Sequence, residues 1–275
     1  MQTNSLIPEG TYGVVQRDVF HSSLDEVAEQ IRRLGYAVID SGYTEAERQA
    51  LSEAFDMARA AYVQRWGEAR LKRLGELHTL RALLTHGGPL FLKLATHRVL
   101  LELLERLIEG KFALSQQNGV INPAGESYNQ GAWHRDLPYQ HFLSSTPLAV
   151  NALFCMDDFT TENGSTFVLP GSHRSAAFPS EAYLRQHALQ VEAKAGQFIV
   201  MDCMLFHSGG RNRGNADRRA VNHAYMIPYF RQQIELPGNL DASTLSESEK
   251  SLLGFSYSSP PSVEAYLVSR EKKNV

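Results

Sequence analysis

The chain has 275 residues, 43% of them apolar and 21% charged, and a formal net charge of −3. That composition belongs to a globular protein with a sizeable core, and the slightly acidic balance excludes a broad nucleic-acid or anionic-membrane surface, which needs clustered basic excess. Cys155 and Cys203 both sit in apolar runs and exclude a disulfide framework; with no basic-then-apolar leader at 1–5 and no 18-residue apolar stretch, a reducing, cytoplasmic setting is expected.

In chain order, Ser23 with Glu26 has the form of a capping box, and Leu24, Val27, Ala28, Ile31 and Leu34 recur at helical spacing until Gly35. Residues 36–40 read as a short strand. Thr44 with Glu47 repeats the capping-box pattern ahead of a longer helix that ends near Tyr62 or Trp66. Gly87-Gly88-Pro89 breaks the chain, and residues 90–107 are apolar at helical spacing with a junction near His97. Beyond Lys111 the character changes. Residues 112–122, 148–156, 165–169, 188–191, 197–202 and 219–227 read as short strands separated by Gly, Pro, Asn and Ser. Helices first and strands after predict an α+β arrangement in one unit over 1–275: a helical buttress over 1–110, a mainly β core over 111–228 and an extension over 229–275. Turn-rich short strands suggest a double-sheet jelly roll. The extension carries apolar islands at 252–255 and 265–268, expected to pack as a lid or as a homodimer contact. Asn163-Gly164-Ser165 matches a glycosylation sequon, but reads more simply as a turn.

The most informative stretch is Gly131-Ala132-Trp133-His134-Arg135-Asp136. On extended chain, positions two apart share a face, so His134 and Asp136 aim together. One imidazole and one carboxylate make two-thirds of the 2-His-1-carboxylate set that holds non-haem Fe(II) and leaves the opposite face open. His207, ending the apolar run that begins at Gly196, is the distal histidine assigned to complete it. Arg218 follows eleven residues later, in a basic loop with Arg211, Arg213 and Arg219. Period-two alternation puts Arg218, Ala220 and Asn222 on one face and Arg219, Val221 and His223 on the other.

This order and spacing resemble the phytanoyl-CoA dioxygenase-like family of Fe(II)/2-oxoglutarate oxygenases. The resemblance runs from roughly Leu6 to Pro228 and takes in Asn163-Gly164-Ser165 and Leu169-Pro170-Gly171-Ser172-His173. It implies a cupin-like double-stranded β-helix with the N-terminal helices packed outside. It further implies Fe(II) on His134, Asp136 and His207, 2-oxoglutarate anchored by Arg218 through the parallel hydrogen bonds a guanidinium offers a carboxylate, and O2 as the oxidant. The expected chemistry cleaves 2-oxoglutarate to succinate and CO2 and hydroxylates an unactivated C–H. Related halogenases replace the carboxylate with a small residue, and Asp136 disfavours that outcome. The resemblance also marks Gln117 and Asn151 as cosubstrate-contacting candidates.

Trp133 is a candidate wall of the iron site, or simply core. His141, His78 and Arg81 are weaker candidates for substrate or cosubstrate contacts, and His173 and His223 are read as structural. A small-molecule substrate, with neither nucleic acid nor membrane as partner, is expected through a pocket rimmed by residues 137–146 and the C-terminal extension. Two other readings stay open. One is a non-catalytic metal- or ligand-binding β-barrel; the other is a cupin-like metalloenzyme without 2-oxoglutarate, against which Arg218 argues. His134-Arg135-Asp136-Leu137 also spells the start of a protein-kinase catalytic loop, but position 141 is His rather than Asn and no Gly-rich loop or Asp-Phe-Gly segment stands in the required places.

Overall fold

The computed structural model describes residues 7–8, 10–137 and 143–271. The chain begins with helix α1 (Ser23–Leu34), strand β1 (Tyr36–Asp40), helices α2 (Glu45–Trp66) and α3 (Glu68–Leu74), the short β2 (Thr79–Leu80), then α4 (Pro89–Ala95) and α5 (Arg98–Leu107). There follow β3 (Ala113–Asn122), β4 (Ala149–Cys155), β5 (Thr166–Val168), α6 (Glu181–His187), β6 (Leu189–Val191), β7 (Gln197–Asp202), β8 (His207–Gly209) and β9 (Arg218–Met226). Helices α7 (Glu247–Leu252) and α8 (Val263–Glu271) close the described chain.

Local chemistry accounts for most boundaries. Thr44 caps α2 in the expected box with Glu47, and the helix ends at Trp66. The α1 cap lies one residue earlier than the sequence pattern suggests: Ser22 accepts from the Asp25 backbone N–H, while the Asp25 carboxylate accepts from Ser22 and from the His21 N–H. Those contacts, with Arg106, hold the Asp25 carboxyl at about 2. The helical run over 90–107 is broken at Thr96 and His97, because the α4 end turns at Thr96 and α5 restarts at Arg98.

Strands pair antiparallel throughout, in a six-stranded sheet ordered β1-β7-β4-β9-β3-β2 and a three-stranded sheet ordered β6-β5-β8. Two facing antiparallel sheets of this kind make the jelly roll, and the large sheet is buried on both faces. Its outer face carries Val150, Ala152, Phe154, Phe198, Val200, Val221 and Tyr225 against Phe55 of α2, Phe91 of α4 and Leu100, Leu103 and Leu104 of α5. Its inner face carries Cys155, Ile199, Met201 and Ala220 against Val168 of the small sheet and Phe159 and Leu205 of the connecting loops. Burying apolar surface on both sides stabilises the sheet and explains why its strands read as near-continuous apolar runs.

In the described residues the first apolar island of the extension packs on the helix side of the barrel. Leu252 and Leu253 enter the helix-side core, and Gln232 ties the segment down by donating to the carbonyls of Leu114 and Leu253. The second island lies on α8, where Tyr266, Leu267 and Val268 stay exposed. No helix among the described residues is long and apolar enough to cross a membrane.

A polar pair is locked inside the outer face. Gln117 of β3 donates its amide N–H to the Phe91 carbonyl and to His223 Nε2, and His223 Nδ1 donates to the Ala152 carbonyl. Complete burial pushes the His223 imidazole down to about 4. The unfolded chain, with an ordinary histidine, therefore binds a proton that the folded chain refuses between those values. Stability from this group is full above about pH 6.5 and falls as the pH drops towards 4, by about 3 kcal/mol in total. Urea unfolding followed across that window is expected to show the decline, and a His223→Asn variant a flatter one. Equal slopes in the two proteins would dismiss the assignment.

Candidate active site

The site lies where the chain before residue 137 joins the edge of the small sheet. His134 and His207 form an antiparallel bridge, exchanging N–H···O bonds of 2.9 and 3.1 Å, so their side chains emerge together. Two residues on, the Asp136 N–H donates to the Cys203 carbonyl, which sets the carboxylate on the same side. His134 Nδ1 donates to Ala132 O at 2.8 Å and His207 Nδ1 to Leu205 O at 3.0 Å. A carbonyl only accepts, so each Nδ1 carries the proton and each Nε2 presents a lone pair.

Both Nε2 atoms lie 3.8 Å from Asp136 Oδ1, and the three prospective ligand atoms lie within 4.8 Å of one another. The imidazole centroids are 4.3 Å apart. Converging lone pairs and a carboxylate repel one another with nothing between them and attract a dication, so this donor set fits Fe(II). Burial, reinforced by His207, pushes the His134 imidazole down, which keeps it neutral and ready to ligate.

The surrounding residues hold these three in place. The other Asp136 oxygen, Oδ2, accepts from Asn151 Nδ2 at 2.6 Å, leaving Oδ1 to face the histidines. Arg135 points the opposite way and binds the carbonyls of Met204, Ala176, Ser172 and Ser175 while stacking 3.8 Å over Phe206. It thus fastens the His134 strand to the loop that leads into His207. Partners that orient a metal ligand typically contribute 10- to 100-fold in metal affinity, so Asn151→Ala is expected to weaken Fe(II) binding by roughly that factor while the protein stays folded. An unchanged Fe(II) titration would show that Asp136 needs no such support.

From this cluster a narrow cleft runs between the sheets, past Asn151, Leu153, Met201 and Thr166 to Arg218. Arg218 is 3% exposed, and its guanidinium stacks 3.9 Å from the Phe159 ring. One NH2 group donates to Gly164 O at 2.8 Å, the other to the Tyr128 hydroxyl at 3.4 Å, and Nε has no partner. No carboxylate neutralises it among the described residues. A buried cation with spare donors facing a cleft is a receptor for an anion. Arg219, on the other face, is saturated by Asp157 and Asp56. The Asn163-Gly164-Ser165 turn is what presents the Gly164 carbonyl. Gly164 has φ +75°, and a Cβ there would lie 2.3 Å from Gly210 O, so only glycine fits.

The model of the phytanoyl-CoA dioxygenase family matches residues 31–220. The chain belongs to that family. It is accordingly an Fe(II)- and 2-oxoglutarate-dependent dioxygenase, with O2 as the oxidant. It is 33% identical over 243 residues to the uncharacterized protein Rv1501 of Mycobacterium tuberculosis, covering 86% of this chain and 88% of that one. It is 26% identical over 274 residues to dioxygenase hkm4 of Aspergillus hancockii, covering 93% and 89%. Among solved structures, EctD from S. alaskensis with 2-oxoglutarate and 5-hydroxyectoine superposes with a TM-score of 0.63 at 20% identity, covering 80% and 82% of the chains. The epimerase SnoN with Fe3+, alpha ketoglutarate and nogalamycin RO gives 0.58 at 20% identity, covering 81% and 92%. At these identities the two structures speak for the fold alone.

The geometry places several sequence-based candidates away from the cleft. Gln117 does not reach the cleft: it shares the outer face of β3 with Ile121 and is spent on Phe91 and His223. Trp133 does not wall the metal site either. As the neighbour of His134 it faces away, packing on Phe167 and Phe178 with ring centroids at 6.4 Å. His78 pairs with Glu126, and Arg81 is held by Glu76 and Gln233, both outside the cleft lining. His173 Nε2 donates to the Arg32 carbonyl. His141 lies outside the described residues. Asn151 does line the cleft, as a partner of Asp136. Missed altogether were Tyr128, Gln130 and Thr166, which line the cleft from loops and a three-residue strand where no periodic pattern singles them out.

Proposed function

We propose that this dioxygenase holds Fe(II) on His134, Asp136 and His207, anchors 2-oxoglutarate at Arg218, and hydroxylates an unactivated C–H of a small metabolite. The observation that carries the reading is the pairing, within one cleft, of a three-ligand cluster and a buried arginine with no acidic partner among the described residues. Bound iron, with 2-oxoglutarate and O2, supplies the oxidising chemistry that yields succinate and CO2.

The chain's own residues do the rest. His134 and His207 are fixed in orientation by their Nδ1 hydrogen bonds to the Ala132 and Leu205 carbonyls, which turns each Nε2 towards the cluster. Asn151 turns one Asp136 oxygen away from the histidines and leaves the other free to ligate. Arg218 fixes the far carboxylate of the cosubstrate, so that its 2-oxo acid end points back towards the cluster. The apolar Leu153 and Met201 line the span between and limit water there. A small substrate suits a cleft this narrow, and 5-hydroxyectoine in EctD and nogalamycin RO in SnoN are small molecules too.

The test is O2 consumption and succinate formation on adding Fe(II) and 2-oxoglutarate, followed by a panel of small metabolites scored for stimulated turnover. Substrate-dependent gain of one oxygen atom is expected. Stimulated turnover that yields an epimer or an alkene with no oxygen gained would overturn the hydroxylase reading while keeping the dioxygenase class.

A further inference from the structure

The Arg218 end of the cleft is closed by one side chain. Tyr128 lies on the loop between β3 and the turn at Asn129–Gly131, and its hydroxyl accepts the 3.4 Å hydrogen bond from Arg218. The same ring lines a second, outer pocket formed by Gly125, Glu126, Gly131, Gly210 and Arg211. Tyr128 is therefore the partition between the inner cleft and that surface pocket. Gly209 makes room for it: a Cβ at 209 would fall 1.7 Å from the Tyr128 hydroxyl oxygen, and glycine alone lets the phenol lie across the β8 backbone.

We infer that Tyr128 is a specificity-determining residue for the cosubstrate, donating its phenolic O–H to the distal carboxylate held at Arg218 and ending the cleft at the length of a five-carbon 2-oxo diacid. The inference rests on the Arg218 anchoring reading. Because the phenol oxygen accepts from Arg218, its own proton is free to point at an incoming anion. Burial also pushes the phenol up, against the opposing pull of Arg218, so it stays protonated and remains a donor. A carboxylate there gains two donor groups fixed to separate elements, β9 and the 128 loop, while the Phe159 ring blocks the far side of the guanidinium. A ligand without the distal carboxylate gains nothing from either donor.

That difference gives a test a purely structural tyrosine would fail. Binding of 2-oxoglutarate and of 2-oxobutyrate, which lacks the distal carboxylate, is measured calorimetrically on the anaerobic Fe(II)-loaded protein. Tyr128→Phe is expected to weaken 2-oxoglutarate by about 5- to 30-fold, the range of one hydrogen bond to a charged group, and to leave 2-oxobutyrate unchanged. Gly209→Ala, which displaces the phenol without removing it, is expected to act in the same direction and to add little in the double variant. Tyr128→Ala opens the partition and is expected to improve 2-oxoadipate relative to 2-oxoglutarate. Equal losses for 2-oxoglutarate and 2-oxobutyrate, or none for either, would overturn the role of Tyr128. Arg218→Met separates the two levels: if it costs 2-oxoglutarate affinity and Tyr128→Phe does not, only the tyrosine inference fails. If neither variant discriminates the two oxo acids, the anchoring reading fails with it.

Discussion

Replacing His207 with alanine is expected to abolish Fe(II)-dependent decarboxylation of 2-oxoglutarate and to weaken Fe(II) binding by well over 100-fold. The scale follows from loss of residues that merely orient a ligand, which already contributes about 10- to 100-fold; loss of one of three ligands must exceed it. His207 is the most sheltered of the three, and its Nε2 lies 3.8 Å from Asp136 Oδ1. Removing it leaves one imidazole and one carboxylate, a pair that binds divalent ions weakly at an exposed edge. His173 and His223 cannot substitute, since each is buried on its own partner elsewhere in the fold. Fe(II) titration together with succinate quantification decides the matter. Retained metal affinity in His207→Ala would mean that the ion sits elsewhere, and the assignment of His134 and Asp136 would fall with it. The backbone bridge to His134 uses main-chain atoms only, so the variant should keep its fold, which thermal unfolding checks.

Arg218→Met is expected to weaken 2-oxoglutarate binding by roughly 10- to 150-fold, the equivalent of about 1.5–3 kcal/mol for a charge-assisted pair, with Fe(II) binding preserved. Methionine keeps much of the stem that packs beside Phe159 and removes the cation. Arg219→Met supplies the contrast. That side chain binds Asp157 and Asp56 on the outer face, so its loss should touch stability a little and cosubstrate affinity hardly at all. The reverse pattern would mean that the anion is recognised on the other face of β9. The structure favours the first outcome for a reason independent of spacing: Arg219 already has two carboxylates, and among the described residues Arg218 is bridged to none.

The amino-acid sequence alone singled out the candidate ligand set and the class of architecture. His134 and Asp136 share a face because extended chain alternates, and Arg218 and Arg219 are separated by the same rule. Capping chemistry at Thr44 and the break at Gly87-Gly88-Pro89 located helices, and the turn-rich second half located most strands. Alternation properly applied would also have turned Trp133 away from the metal, since it stands next to His134.

Only the tertiary structure decided what each face meets. The large sheet is buried on both sides, so the run of buried residues along β3 gives no sign that Gln117 faces the helices rather than the cleft. Its partner, His223, is 106 residues away in sequence and adjacent across the β3–β9 ladder. Asn151, a cosubstrate candidate in the sequence, lines the cleft and donates to Asp136, a contact fixed by where β4 meets the 136 segment. Tyr128 left no trace at all in the pattern. A loop side chain acquires its place from the backbone it crosses, here Gly209, and from the cation it meets, here Arg218, and both arrive from strands some 80 to 90 residues further along the chain.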